Sequence, residues 1–207
     1  MRKVLVTAAL LIAAPSLAAV PEKGEGTVTV LGGLRFVVPS NADYLSDQPP
    51  GATHTPLTPA GIASFGYQFD NELHFKIELG YFTDNYSNPK GGDLSVRSVP
   101  IMLALDTVLV KSERITFYGG GGIGYLLNTG TRNGVSNEAN STAGYLSLGL
   151  RVQLGGVAAF VVEDRYILAS AAVDPQDPGR TLTVGGNLIL AGIMFHFFEP
   201  DDHPMHP

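Results

Sequence analysis

Residues 115–127, with the sequence ITFYGGGGIGYLL, constrain the fold more than any other part of the chain. Their apolar side chains recur at every second position, which is the period of a β-strand and not of a helix. Five glycines would weaken an isolated strand, because glycine loses the most backbone entropy on folding and packs no side chain. They fit where a sheet curves sharply or where a neighbour approaches closely. Phe117 and Tyr125 near the two ends indicate the aromatic girdles of a membrane-crossing strand. The stretch therefore predicts one strand of a small, closed membrane barrel.

The first 19 residues have the features of a Sec-type signal peptide. Arg2 and Lys3 form a positive start, residues 4–14 form an apolar segment, and small residues up to Ala19 form a cleavage site. The apolar segment is too short to span a bilayer as a helix. We therefore expect a signal peptide over residues 1–19, a barrel domain over residues 20–198 and a flexible polar tail over residues 199–207.

Charge and composition exclude several functional classes. The net charge is −6, and removal of Arg2 and Lys3 makes it −8, which argues against a nucleic acid partner. There is no cysteine, so neither disulfides nor thiol chemistry are available. Hydrophobic residues make up 44% of the chain, yet no apolar run after residue 19 is long enough for a transmembrane helix. Alternating barrel strands produce this combination.

Eight segments alternate apolar and polar residues along the chain. The predicted strands are residues 26–38, 57–69, 73–83, 95–105, 115–127, 142–154, 157–168 and 182–197. Long loops are predicted over residues 40–55, 84–93, 129–141 and 169–180, and short turns over residues 70–72, 106–114 and 155–156. Short turns on one side and long loops on the other are typical of outer-membrane barrels. The predicted fold is an all-β, eight-stranded antiparallel up-and-down transmembrane β-barrel.

Three positions depart from this pattern. Pro100 cannot donate a ladder hydrogen bond, so we expect a local irregularity there. The apolar residues at the start of the last strand have the opposite parity to those at its end, which predicts a bulge near residues 185–186. Asp164 falls on the lipid-facing side, which is costly unless it lies near the membrane interface or at a bulge.

The whole pattern resembles the small eight-stranded outer-membrane barrels of Gram-negative bacteria, the grouping that includes the OmpA, OmpX and OmpW types. The matching stretches are SFGYQFDNELHFKIELGYF (64–82), VPIMLAL (99–105), FYGGGGIGYLL (117–127), VVEDRYIL (161–168) and LAGIMFHF (190–197). The resemblance implies an outer-membrane location, with membrane lipids and the barrel-insertion machinery as partners. It also implies an insertion signal at the last aromatic of the final strand. Because nine residues follow Phe198, we expect that signal to be internal here.

Six charged side chains are predicted to point into the lumen: Arg35, Lys76, Glu78, Arg151, Glu163 and Arg165. The lumen of an eight-stranded barrel is just wide enough for side chains to fill. We expect these residues to form a network of ion pairs and hydrogen bonds that replaces a hydrophobic core, because a buried charge must be paired. A polar conduit or gate for small solutes is the alternative.

No pattern of catalytic, cofactor-binding or metal-binding residues is found. His74 and Glu78 share a strand face but lie about 13 Å apart along it, too far for direct cooperation. The glycine run is not followed by the Lys-Ser/Thr of a phosphate loop. His196, His203 and His206 lack the spacing of a metal site. We therefore predict a protein without enzymatic activity and without a cofactor.

Three functional hypotheses follow. The first is a structural or surface-interaction barrel that presents four loops outside, with an extracellular ligand bound by the long loops. The second is a narrow channel for small or hydrophobic solutes, as is suggested for OmpW-like proteins. The third is a soluble lipocalin-like barrel, which would place apolar residues inside and polar residues outside.

Overall fold

The computed structural model describes residues 24–36, 53–70, 72–87 and 92–197. The predicted signal peptide, the tail, Phe198 and most of the predicted loop 40–55 lie outside these residues. The strands are β1 (Gly26–Phe36), β2 (Thr53–His54), β3 (Leu57–Gln68), β4 (Leu73–Ser87), β5 (Leu94–Lys111), β6 (Ile115–Arg132), β7 (Val135–Gly155), β8 (Ala158–Leu168), β9 (Ser170–Ala171), β10 (Leu182–Thr183) and β11 (Gly186–Phe197). The described residues contain no helix that is long and apolar enough to cross a membrane.

Eight of these strands close into one antiparallel barrel. Following the hydrogen bonds from β1 leads through β3, β4, β5, β6, β7, β8 and β11, and β11 pairs again with β1. The short strand β2 extends the β4 edge, and β9 pairs with β10 in a separate small sheet. This architecture confirms the predicted fold. One end of the barrel carries the short connections from β3 to β4, from β5 to β6 and from β7 to β8, and is called the turn end. The opposite end is called the loop end.

The outer wall is an apolar belt. Ile123 is 73% exposed and Leu146 is 70% exposed, whereas Tyr145 and Ser147, the strand neighbours of Leu146, point inward and are 3% and 5% exposed. Aromatic side chains mark both ends of the belt. Toward the turn end lie Phe69, Phe75, Phe117, Phe195 and Phe197, and toward the loop end lie Phe36, Tyr81, Tyr125 and Tyr166. An apolar outside is the reverse of a soluble ligand-binding barrel, which excludes the lipocalin-like hypothesis.

The wall is taller than predicted on one side. The predicted loop 129–141 is wrong, because β6 and β7 continue as a hairpin up to a two-residue turn at Asn133 and Gly134. Both turn residues have positive φ, 52° and 77°, as a tight hairpin turn requires. Likewise, β4 continues to Ser87 and β5 begins at Leu94. Alternation of apolar and polar residues marks only the part of a strand that faces lipid. It therefore does not predict where a strand continues beyond the membrane.

The last predicted strand is interrupted rather than bulged. β11 begins only at Gly186, and Leu182 belongs to the separate strand β10. Residues 169–185, called the connector below, fold back over the loop end of the lumen. Leu182 and Val184 are each 1% exposed. These residues have the opposite parity to the apolar residues of β11 because they are buried in the lumen mouth, and not because one continuous strand contains a bulge.

The glycines of β6 leave room for lumen side chains. A Cβ atom at Gly120 would collide with Asp106, and one at Gly122 would collide with the ring of Tyr145. Glycine is thus needed at these inward positions because side chains of neighbouring strands approach the β6 backbone closely. The irregularity expected at Pro100 is confirmed, since the β4–β5 pairing skips Gly80 and the following residue opposite the proline. A Cβ atom at Gly80 would meet the Pro100 ring.

Candidate functional site

The structure places all six charged residues singled out from the sequence inside the barrel, each at most 4% exposed. Five of them meet in one cluster near the middle of the lumen, and Asp106 joins them. This cluster, called the lumen network below, consists of Lys76, Glu78, Asp106, Arg151, Glu163 and Arg165. The sixth predicted residue, Arg35, lies apart from it at the loop end.

Arg165 joins two carboxylates in the lumen network. Its two terminal nitrogens donate to the two oxygens of Glu78 at 2.8 and 2.9 Å, a bidentate arrangement. Its Nε donates to Glu163 at 2.7 Å. β4 supplies Glu78 and β8 supplies Arg165, so this group ties together opposite walls of the barrel.

Lys76 and Asp106 form the other half of the lumen network. Lys76 Nζ lies 3.0 Å from Asp106 and 3.2 Å from Glu78, so it bridges the two carboxylates. Arg151 donates to Asp106 at 2.8 Å. The network contains three cations and three carboxylates, so its formal charges cancel. Balanced and hydrogen-bonded charges are the form in which ionised groups persist away from water.

Two tyrosines complete the lumen network. The Tyr145 hydroxyl donates to Glu78 at 2.7 Å, and the Tyr118 hydroxyl donates to Glu163 at 2.8 Å. The rings also cover the cations: the Arg165 guanidinium lies 3.9 Å from the Tyr145 ring centroid, and that of Arg151 lies 4.1 Å from the Tyr118 centroid. Each tyrosine therefore contacts both signs of charge.

A Thr–His–Asp arrangement beside the lumen network has the wrong proton placement for catalysis. Thr27 Oγ1 lies 2.9 Å from His74 Nε2, and Asp106 lies 3.7 Å from His74 Nδ1. Arg151, which can only donate, contacts the same Nδ1 at 3.3 Å. Nδ1 therefore accepts, Nε2 carries the proton and donates to the threonine, and the imidazole cannot act as a base toward the hydroxyl. We assign this group a structural role.

Apolar side chains close the lumen between the network and the loop end. On β4, β6 and β8 the inward residues beyond the charges are Phe82, Leu126 and Ile167, each at most 1% exposed. From β11, Leu188 and Leu190 fill the same layer with no exposed surface. This layer is closely packed and consists mainly of apolar side chains, in contrast to the charged layer beneath it.

The connector is held over this layer by ion pairs. Arg35 pairs with Asp84 and donates to the carbonyl oxygens of Val184, at 3.1 Å, and of Gly185. Nearer the hairpin tip, Arg132 pairs with Asp174 at 3.0 Å. Val173 beside it is fully buried. Arg35 thus anchors the connector in the mouth and does not belong to the lumen network.

The sequence analysis missed four contributors to these clusters. Asp106 was assigned to a turn and Asp84 to a loop, yet both continue the inward parity of their strands. Extending the alternation past the last apolar residue would have found them. Tyr118 and Tyr145 also lie at inward positions of alternating strands, but their partners lie on other strands and depend on the register between strands.

Polar atoms line the turn-end half of the lumen. Within the described residues, both ring nitrogens of His196 and both amide atoms of Gln153 lack a hydrogen-bond partner. His196 Nδ1 lies 3.9 Å from a Glu25 carboxylate oxygen. His203 and His206 lie outside the described residues. No group of three His, Cys, Asp or Glu side chains within the described ranges is placed to hold a metal ion.

Comparisons with known proteins agree with this architecture. The sequence matches the family described as outer membrane protein beta-barrel domain over residues 4–197. No curated protein sequence matches the chain. OprG from Pseudomonas aeruginosa is similar in structure, with 14% identity, a TM-score of 0.55, and coverage of 86% of this chain and 98% of OprG.

Two further solved barrels are similar at the level of the fold. Neisserial surface protein A has 14% identity and a TM-score of 0.56, with coverage of 84% of this chain and 98% of that protein. Ail of Yersinia pestis has 14% identity and a TM-score of 0.50, with coverage of 84% and 99%. The closed barrel, its apolar belt and the match over residues 4–197 lead to one conclusion: the chain belongs to the outer membrane protein beta-barrel domain family and resides in the outer membrane of a Gram-negative bacterium.

Proposed function

We propose that this protein is a non-enzymatic, non-conducting barrel that holds a rigid interaction element outside the cell. The filled lumen is the observation that carries the proposal. Across its width lie three cations paired with three carboxylates, and beyond them an apolar layer that the connector covers. An eight-stranded barrel leaves no further space once its side chains fill the interior.

The β6–β7 hairpin is the proposed interaction element. Long loops of outer-membrane barrels face outward, which places the hairpin on the cell surface. Residues 135–143 of β7 pair with β6 on one side, while β8 joins β7 only from Gly144 onward. One edge of this segment therefore has no strand partner within the described parts of the chain. A partner that offers an extended strand can pair with such an edge.

The hairpin is rigid before any partner arrives. Arg132 is paired with Asp174 next to the hairpin tip, and the Asn137 amide donates to the Ala172 carbonyl at 2.9 Å. A preformed edge loses less conformational entropy on binding than a flexible loop does. The extracellular ligand predicted for the long loops is thus assigned to a β-hairpin.

Conductance in planar bilayers tests the closed lumen. The folded protein is expected to give no steady unitary currents. A matched variant that carries Phe82→Ala and Leu126→Ala thins the apolar layer and shows whether that layer is the barrier. Steady currents from the unmodified protein would refute the non-conducting barrel.

A narrow conduit for small solutes is the second candidate. The polar atoms of His196 and Gln153 that lack protein partners favour water entry from the turn end as far as the lumen network. Small or hydrophobic solutes would then need the apolar layer to open. Unitary currents that change in the Glu78→Gln variant would favour this candidate.

Export and insertion complete the proposal. Residues 1–19 act as the signal peptide, residues 20–198 form the barrel, and residues 199–207 form a tail. The barrel-insertion machinery is then expected to recognise the aromatic end of β11, where Phe195 and Phe197 face outward. Mass spectrometry of the mature protein is expected to find an N-terminus at residue 20. Removal of residues 199–207 is expected to leave insertion unchanged, and a loss of insertion would contradict the internal signal.

A further inference from the structure

The outer wall changes from apolar to polar along one row of residues at the loop end. Arg97 is the first polar outward residue of β5 beyond its apolar belt segment, and it pairs with Thr83 of β4 and Thr129 of β6. Tyr81 lies two positions before Thr83 on the same outward face. Because tyrosine rings mark the headgroup level of a membrane and long loops face outward, this row lies at the headgroups of the outer leaflet.

Arg97 carries a positive charge that no carboxylate of the described residues neutralises. Its guanidinium lies 5.9 Å from the centroid of the Tyr81 ring. Among the described strand residues it is also the only outward cation at the loop end, since Arg35, Arg132 and Arg165 point inward. A guanidinium at headgroup level attracts an anion, and its planar fork of donors matches the oxygens of a phosphate.

Two apolar grooves lie on the membrane side of Arg97. The first, of about 460 Å³, runs over β1, β3 and β4, and Tyr81 forms its boundary toward Arg97. The second, of about 680 Å³, runs over β5, β6 and β7 and is lined by Ile101 and Tyr125. Ile101 is four residues from Arg97 along β5, which is about 13 Å. Both grooves open toward the bilayer, so hydrocarbon chains are the groups that can fill them.

A polar pocket of about 310 Å³ lies on the opposite side of Arg97, beyond the membrane. Its outward lining residues are Thr53, Thr55, Asn85, Ser87, Asp93 and Ser95. Ser95 and Asp93 are two and four residues from Arg97 along β5, or about 7 and 13 Å. Hydroxyl, amide and carboxylate groups of this kind can hydrogen-bond the hydroxyl groups of a sugar. The headgroup of a simple phospholipid is too short to extend this far beyond its phosphate.

We propose that the outer wall around Arg97 binds a phosphorylated glycolipid of the outer leaflet. The phosphate lies on Arg97, acyl chains lie in the two grooves, and sugar hydroxyls enter the polar pocket. Grooves, cation and pocket follow one another along the strands in the order in which chains, phosphate and sugars of such a lipid cross the membrane surface. The site lies on the wall of the barrel and is independent of the hairpin edge.

The phosphate contact is tested with lipid A, a phosphorylated and acylated disaccharide, by native mass spectrometry of the folded protein in detergent micelles. Arg97→Gln is expected to weaken binding about tenfold. Lys111→Gln is the matched control, because Lys111 is an exposed cation at the turn end of the same strand, and it is expected to leave the affinity unchanged. Dephosphorylated lipid A is expected to bind the unmodified protein and Arg97→Gln equally, since phosphate and guanidinium are two halves of one contact.

The groove and the pocket are tested separately. Ala63→Phe fills the first groove and is expected to weaken lipid A binding several-fold, whereas Ala191→Phe on β11, which lines neither groove, is expected to have no effect. Asn85→Ala removes an amide from the pocket and is expected to weaken binding of lipid A. The same variant is expected to leave binding of phosphatidic acid unchanged, because that lipid has a phosphate and chains but no sugar.

Heat-modifiable gel mobility shows that every variant is folded before it is compared. Equal losses for Arg97→Gln and Lys111→Gln would overturn the proposal, and so would a loss in Arg97→Gln that persists with the dephosphorylated probe. Phosphatidic acid that binds as tightly as lipid A would overturn the glycolipid in favour of a simple phospholipid.

Discussion

Removing one charge from the lumen network is expected to destabilise the barrel strongly. Glu78 accepts two hydrogen bonds from Arg165 and one from Tyr145, and Lys76 lies 3.2 Å away. Glu78→Gln keeps the shape but leaves three buried cations facing two carboxylates. It also turns one acceptor into a donor that faces other donors. Breaking a buried ion pair in this way typically costs about 3–5 kcal/mol.

The loss of free energy of unfolding can be measured by urea titration in lipid vesicles. The folded fraction is read from heat-modifiable gel mobility and from the fluorescence of the eight tyrosines, since the chain has no tryptophan. Glu138→Gln is the matched control, because Glu138 is exposed on the hairpin and its neutralisation is expected to cost less than about 0.5 kcal/mol.

A double variant separates charge imbalance from lost packing. With Glu78→Gln and Arg165→Gln together, two cations face two carboxylates again. The double variant is therefore expected to be more stable, by about 2 kcal/mol, than the sum of the single effects predicts. A cost below about 1 kcal/mol for Glu78→Gln, or strict additivity in the double variant, would refute the balanced network as a source of stability.

Three further predictions follow from local geometry. Gly149→Ala would drive a Cβ atom into the ring of a lumen tyrosine, so it is expected to lower the free energy of unfolding by about 2 kcal/mol in the same urea assay. Gly32→Ala is the control: its Cβ atom meets open space, and its effect on stability is expected to be near zero. Gly134→Ala forces a non-glycine residue to φ 77° and is expected to weaken the hairpin tip by about 1 kcal/mol, seen as faster amide exchange there but not in the barrel. Asp174→Asn removes the carboxylate that forms an ion pair with Arg132, so protease is expected to cleave the connector about tenfold faster while gel mobility stays unchanged. An unchanged cleavage rate would contradict the anchoring role of that pair.

Period-two alternation was sufficient to predict the barrel and the direction of most side chains. Lys76 and Glu78 could be assigned to the lumen because Ile77 between them is an apolar, outward residue. The same alternation could not predict where strands end. Beyond the membrane the outer face of β6 and β7 meets water, and the inner face of β6 carries polar residues such as Asn128 and Arg132, which are buried beneath the connector. With polar residues on both faces, the alternation no longer distinguishes a strand from a loop.

The alternation along one strand does not predict which lumen side chains pair with each other. Arg35 and Arg165 look alike in sequence, since each is an inward arginine on an alternating strand. Arg35 lies near the loop end and meets Asp84 and the connector, while Arg165 meets Glu78 and Glu163. The difference arises from the register between strands, which depends on how the whole sheet closes.

The lumen network also limits the order in which the protein can assemble. Glu78 and Arg165 are 87 positions apart in sequence, and they face each other only when the strands between them have joined the sheet. Until then each charge would enter the bilayer unpaired, so it stays hydrated while the sheet grows. Pairing of the charges therefore comes late, after β4 to β8 have joined and curved toward each other. Long-range pairing of this kind makes folding slow, and separating the β4 wall from the β8 wall requires breaking the network.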